Sequence, residues 1–243
     1  MSKNEERNIV DLINLYLGNN NSRDELEVRF CTNRNNPLTK IKFDNVIKKL
    51  LSLGFYIDQE NIYTLNIQNE YKDLASGRNK LSNIRTTISG INNIHKYCKT
   101  NSFDTENIPD YVSFMQKFLK TDRSREKIYP LDIRKYELRL NYKEERILDK
   151  KRGLLNNILN NWNESKKTFR FIKRTTLKHQ DFPFRVDCSI IKTSKYSKNK
   201  NRMIPEFTIQ DAELFNNMQH YEIEIEFLNE LANKLSVIQL EKM

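Results

Sequence analysis

The sequence predicts a mainly β protein with a few covering helices, whose strands carry an apolar face and a charged face. Three observations lead there. Glu25-Leu26-Glu27-Val28-Arg29-Phe30 alternates charged with apolar residues, and Tyr221-Glu222-Ile223-Glu224-Ile225-Glu226-Phe227 does the same. Successive side chains on a strand point to opposite faces, so each segment gathers its charges on one face and its aliphatics on the other. Basic residues repeat the habit elsewhere, with Arg85, Arg139 and Arg185 each on a polar face opposite apolar neighbours.

The elements follow in chain order. Asn8 to Leu17 reads as an amphipathic helix with Ile9, Leu12, Ile13 and Tyr16 on one face, ended by the run Gly18 to Ser22. Asp24 to Phe30 is the first strand. Asn36-Pro37 is a turn, and Thr39 caps a helix with the stripe Phe43, Val46, Ile47, Leu50 and Leu51, which Gly54 stops. Tyr56 to Ile67 reads as a strand or hairpin, and Leu81 to Ile88 as a strand with Asn83, Arg85 and Thr87 on one face. Pro109 to Leu119 reads as a helix. Thr121 to Ile128 alternates weakly, with Arg123, Arg125 and Lys127 on one side. Tyr136 to Glu145 alternates cleanly, and Lys150 to Trp162 suits a helix. Thr168 to Leu177, Phe184 to Ile191 and Tyr221 to Phe227 read as strands, Glu206 to Ile209 as a short one, and Leu228 to Leu240 as a closing helix. Neither an internal repeat nor a low-complexity linker is visible, so residues 1–243 read as a single domain.

Composition narrows the function. The net charge of +10 predicts attraction to polyanions. Cys31, Cys98 and Cys188 are few, odd in number and widely spaced, which suits a reducing compartment. His95 and Cys98 lack a second pair to complete a zinc set, and His179 and His220 form no nucleophile triad. Five glycines include no GxxxxGK[ST] and no GxGxxG, which removes the main support for P-loop and Rossmann readings; KxDG is also absent. No apolar run reaches the ~20 residues of a membrane span, and no secretory signal opens the chain.

Three glutamates on one strand face repel one another, by roughly a few tenths of a kcal/mol per close pair. An exposed charged edge strand would tolerate one such segment. Two in a basic chain point instead to a hard divalent cation, Mg²⁺ or Mn²⁺, held by carboxylates. Arg170, Lys173 and Arg174 crowd one strand, where Lys173 and Arg174 cannot both face inward, and Arg185 and Asp187 share a face. If the strands close into a barrel with polar faces inward, an interior carrying both signs suits a ligand that is a triphosphate with its metal, because guanidinium forks clamp phosphate oxygens. Loop residues from Lys195 to Arg202 suit contact with a nucleic-acid backbone on the outer surface.

The two glutamate strands resemble the signature strands of the triphosphate tunnel metalloenzymes. Phe184-Arg185-Val186-Asp187-Cys188-Ser189 is similar to the R-x-D-x-[ST] strand of the fungal and viral RNA triphosphatases, and Arg174-Thr175-Thr176 to their R-x-[ST] strand. With its Asn, Lys and Ile bias, the chain resembles the RNA triphosphatase domains of mimivirus-type mRNA capping enzymes. The resemblance implies a tunnel of about eight antiparallel strands. It implies a metal held by Glu25, Glu27 and one or more of Glu222, Glu224 and Glu226, and phosphate contacts from Arg85, Arg174 and Arg185, with Asp187 as a supporting acid. Arg139 and Arg170 join the phosphate-binding set by their strand faces. Two departures stand out. The family's R-x-K-x-R run would put lysine at 172, where Ile172 stands, so that Lys173 needs a bulge to serve. The family's water-orienting glutamate falls nearest to Lys143, and alternation favours Glu145 in its place; Lys127 matches a family lysine.

The implied activity is removal of the γ-phosphate from the 5′-triphosphate end of nascent mRNA, with NTPs as further substrates. Guanylyltransferase and methyltransferase domains would be linked in a longer polypeptide, working in the host cytoplasm at a viral factory or packaged in the virion. A tripolyphosphatase, thiamine triphosphatase or adenylate cyclase of the same fold is the second expectation, since Glu25-x-Glu27-x-Arg29 is close to ExExK. A metal-free RNA-binding module is the third, and it leaves the glutamate strands unexplained.

Overall fold

The computed structural model describes residues 3–19, 21–31, 36–73, 75–122, 124–149, 153–197, 199 and 201–228. Its helices are α1 (Lys3–Asn19), α2 (Lys40–Ser52), α3 (Ile91–Thr100) and α4 (Gly153–Asn160). The long strands are β1 (Asp24–Phe30), β2 (Tyr56–Lys72), β4 (Ile84–Ser89), β5 (Val112–Leu119), β7 (Leu138–Ile147), β8 (Lys167–Lys178), β9 (Phe184–Thr193) and β12 (His220–Phe227). Short strands β3 (Asn79–Leu81), β6 (Leu131–Ile133), β10 (Tyr196–Ser197) and β11 (Arg202–Met203) lie in the connections.

The eight long strands run β1-β12-β9-β8-β2-β4-β5-β7, every pair antiparallel, and β7 returns to β1 to close a barrel. The first and last strands are therefore neighbours, with Glu27 opposite Glu226 and Arg29 opposite Glu224.

Alternation explains why the barrel is polar inside. Each strand's apolar face turns outward and needs a cover. Three clusters supply it. Leu12 and Tyr16 of α1 pack on Leu26, Leu140 and Tyr142 of β1 and β7. Phe43 of α2 packs with Leu177, Val186, Cys188 and Ile223. Ile94 and Tyr97 of α3, with Leu155 and Trp162 around α4, cover Leu65, Ile67, Ile84 and Ile88. Burying these side chains stabilises the barrel from outside by ~1.5–3 kcal/mol for each large aliphatic. The Thr39 hydroxyl accepts from the Lys42 N–H to cap α2. Beyond α2, Gly54 takes φ +93, and a Cβ there would meet His179 Nε2 at 3.0 Å.

Several expectations need correction. Pro109 to Leu119 is not a helix: Val112, Phe114 and Gln116 are buried while Ser113, Met115 and Lys117 share the other face, the period of a strand. The weak alternation of Thr121 to Ile128 yields, among the described residues, an isolated Thr121–Lys127 bridge, and the short strand expected at Glu206 is a single bridge to Lys167. The strand expected from Tyr136 starts at Leu138, after a 3-10 turn over Arg134–Tyr136. Leu81 to Ile88 breaks at residues 82–83. Helix α3 was not anticipated. The expected closing helix to Leu240 lies outside the described residues, as does the start, at 150–152, of the helix expected from Lys150.

Candidate active site in the barrel interior

The inward faces enclose a cavity of about 730 Å³ lined from every strand of the barrel. Alternation supplies the lining: Glu25, Glu27 and Arg29 from β1; Glu224 and Glu226 from β12; Arg185 and Asp187 from β9; Arg170, Ile172, Arg174, Thr176 and Lys178 from β8. Arg85 and Thr87 come from β4, Met115 and Lys117 from β5, Lys143 and Glu145 from β7.

Opposite charges pair across and between strands. Lys117 Nζ donates to both Glu25 oxygens at 3.0 and 2.7 Å and lies 2.5 Å from Glu145. Glu27 accepts from Asn141 Nδ2 at 2.9 Å and Lys143 Nζ at 2.7 Å. Arg29 Nε donates to Glu224 at 2.6 Å, and Arg185 Nη2 to Glu226 at 2.7 Å. Asp187 is buried, accepts from Thr176 Oγ1 at 2.6 Å and holds Arg174 Nη1 at 3.0 Å. These contacts fix both sets of side chains at low solvent exposure.

Carboxylates still crowd one region. Burial, with the Glu25 and Asp187 charges, pushes Glu226 up to about 7, against the pull of Arg185. Burial also raises Glu25, and Glu27 and Glu145 add to the rise against Lys117. At Glu27 burial acts upward too, but Lys143, Arg29 and Lys117 together outweigh it and the group ends below its ordinary value. Burial would depress Lys117, yet Glu25 and Glu145 hold it above the usual lysine range.

One cavity base differs from the rest. Arg85 makes no ion pair among the described residues; its Nη2 touches Met115 Sδ at 3.0 Å, and its buried Nε has no hydrogen-bond partner. An unsatisfied buried donor is costly unless a ligand meets it.

The donor set suits a hard divalent cation in its chemistry: carboxylate oxygens from adjacent strands, with Glu25 and Glu226 raised by burial first and by neighbouring carboxylates second. Among the described residues, however, no three His, Cys, Asp or Glu side chains are arranged as a ready ligand set. Each carboxylate is matched by a base, so an ion would take oxygens now held by Lys117, Lys143, Arg29 and Arg185.

Glu222 shares the inward face of β12 with Glu224 and Glu226 and holds the cavity-lining Arg170 at 2.6 Å, while other expected residues lie further off. Arg139 shares the inward face of β7 but is taken by Asp132 at 2.6 and 2.9 Å on the exposed rim. Lys127 is exposed in the connection after β5. Lys173 sits over the Tyr63 ring on the outer side. The β8–β9 register runs unbroken from Arg170 to Lys178, so no bulge turns Lys173 inward and Ile172 takes the cavity position. Lys117 was missed because its strand read as a helix; the alternation Met115, Lys117 against Phe114, Gln116 was the available signal.

No protein-family model matches the chain, and no curated protein is significantly similar in sequence. Its fold is that of the tunnel-type RNA triphosphatases, a closed eight-stranded antiparallel barrel with flanking helices. The RNA triphosphatase domain of a trifunctional mimivirus mRNA capping enzyme superposes with TM-score 0.61 at 16% identity, covering 100% of this chain and 93% of that one. A second structure of the mimivirus capping-enzyme triphosphatase gives 0.60 at 17% identity, covering 100% and 94%. The S. pombe Pct1 RNA triphosphatase gives 0.52 at 11%, covering 100% and 85%.

Proposed function

We propose that this chain is a divalent-metal-dependent 5′-triphosphatase that converts the triphosphate end of RNA to a diphosphate end, the first step of cap formation. The observation that carries the reading is the cavity itself: Glu25, Glu27, Glu224 and Glu226 at one wall, with Arg85 unpaired across from them. A dense set of fixed opposite charges is costly to bury, and a ligand carrying both metal and phosphate uses both signs. The similar folds of RNA triphosphatases support the same choice.

On this reading Arg85 binds a phosphate oxygen directly, since no carboxylate competes for it. Arg174 and Arg185, aimed by Asp187, hold the γ-phosphate and stabilise charge that develops on its equatorial oxygens. Lys117 adds a fourth cation, and Glu145, held by Lys117, orients water in line with the bond to be broken. A bound Mg²⁺ or Mn²⁺ would be held by Glu25, Glu27, Glu224 and Glu226 and would neutralise phosphate charge. Water attacks phosphorus, the γ–β bridging bond breaks, and orthophosphate leaves with diphosphate-ended RNA. NTPs present the same triphosphate. The diphosphate end would pass to guanylyltransferase and methyltransferase domains of a longer polypeptide in a host cell's cytoplasm.

The test is release of labelled γ-phosphate from triphosphate-ended RNA, with and without divalent metal. Release that requires metal and falls at least 100-fold in Glu224→Ala is expected. Metal-independent release, or none from RNA, NTP or tripolyphosphate, refutes the proposal.

A further inference from the structure

The two ends of the barrel differ. Because all eight strands are antiparallel, the connections β2–β4, β5–β7 and β9–β12 turn at one mouth, and β4–β5 and β8–β9 at the other. The described residues of the first three connections, 73–83, 120–137 and 194–219, hold nine Lys and Arg against eight Asp and Glu. Residues 90–111 and 179–183, the other two connections, hold two against four, so the first three are the more attractive to a polyanion.

Exposed aromatics are divided in the same way. Of the seven exposed Tyr and Phe among the described residues, Tyr129, Tyr136, Tyr196, Phe207 and Phe215 lie in the first mouth's connections. Tyr71 ends β2 beside them, and Tyr56 alone is at the far end. Tyr129 is 72% exposed. Arg78, Arg134 and Arg202 are exposed too, and none makes an ion pair among the described residues. Met203, next to Arg202 on the β10–β11 hairpin, lines the cavity, so this surface is continuous with the tunnel.

We propose that this mouth is a single-stranded nucleic-acid platform that holds the nucleotides following the triphosphate end. Free guanidinium groups bind phosphates, and exposed rings stack on bases regardless of sequence. Duplex and protein partners fit less well, since the aromatics are scattered over two connections and the end of β2 and suit unstacked bases. The inference rests on the triphosphatase reading for the direction of the strand, but binding alone tests the surface.

The probe is a fluorescent 12-nucleotide RNA ending in a 5′-hydroxyl, which offers nothing to the phosphate site. Fluorescence anisotropy should show binding that weakens steeply with salt. The triple variant Arg78→Glu, Arg134→Glu, Arg202→Glu should bind at least tenfold more weakly, with a salt slope smaller by about 2 for three lost phosphate contacts. Tyr129→Ala with Phe207→Ala should weaken binding without changing that slope, and all variants should turn over tripolyphosphate within twofold of wild type. Wild-type protein that ignores the 5′-hydroxyl RNA, or variants that bind it unchanged, overturn the platform; so do variants that lose tripolyphosphate turnover in parallel. Protein that binds this RNA through these side chains yet releases phosphate from no substrate supports the platform and refutes the triphosphatase reading.

Discussion

Arg85 separates ligand binding from folding more cleanly than any other cavity residue. Most cavity bases hold a carboxylate, so removing one leaves a buried acid unpaired and penalises the fold along with the site. Arg85 holds none, and its Nε is already without a partner. Arg85→Met therefore removes no internal hydrogen bond to nitrogen or oxygen and deletes a desolvated donor. Its thermal midpoint should equal or exceed that of wild type. The loss should appear in catalysis. A guanidinium fork on phosphate makes two charge-assisted hydrogen bonds, each contributing about 1.5–3 kcal/mol. Together that is about 3–6 kcal/mol, so kcat/KM for γ-phosphate release should fall by at least 100-fold. Arg85→Lys keeps the charge without the fork and should recover only part of it. The assay pairs phosphate release with thermal unfolding on the same preparation. A variant within threefold of wild-type kcat/KM, or one that melts well below it, would refute the reasoning.

Three further outcomes follow from the same geometry. Glu27→Ala strands Asn141 and Lys143, and should lower stability by about 2–3 kcal/mol in urea unfolding while abolishing turnover; unchanged stability would contradict the pairing. Lys127→Ala, Arg139→Ala and Lys173→Ala should each leave tripolyphosphate turnover within twofold, since none reaches the cavity, and a tenfold loss in any would restore it to the site. Burial against Trp162 depresses Lys167 to about 8, so the unfolded chain binds more protons between about pH 8 and the ordinary lysine range, and this group's contribution to stability rises with pH across that window. Lys167→Met should flatten that rise in urea midpoints measured at pH 7 and pH 9.5; parallel curves for both proteins would contradict it.

Much of the barrel was legible because period-two alternation is a local signal. β1, β7, β9 and β12 each showed it over six or more residues, and the acids on two of them marked the inward face. β5 was not legible. Tyr111, Phe114, Met115 and Phe118 fall at helical spacing as well as on a strand, and only the pairing of β5 between β4 and β7 decides the matter. That misreading concealed Lys117. Lys173 and Lys127 were favoured because the resemblance asked for lysines near those positions, whereas register assigns an inward lysine to β5 and an isoleucine to 172. The aromatic and basic mouth is spread over three separate connections, so no single stretch of sequence announces it.

On the proposed function, carboxylates from β1 and β12 share one cation in the barrel interior. Manganese titration followed by electron paramagnetic resonance tests this directly. One bound Mn²⁺ per chain is expected in the wild type, strongly weakened by Glu27→Gln on β1 and equally by Glu224→Gln on β12. Manganese affinity that survives both substitutions would contradict it.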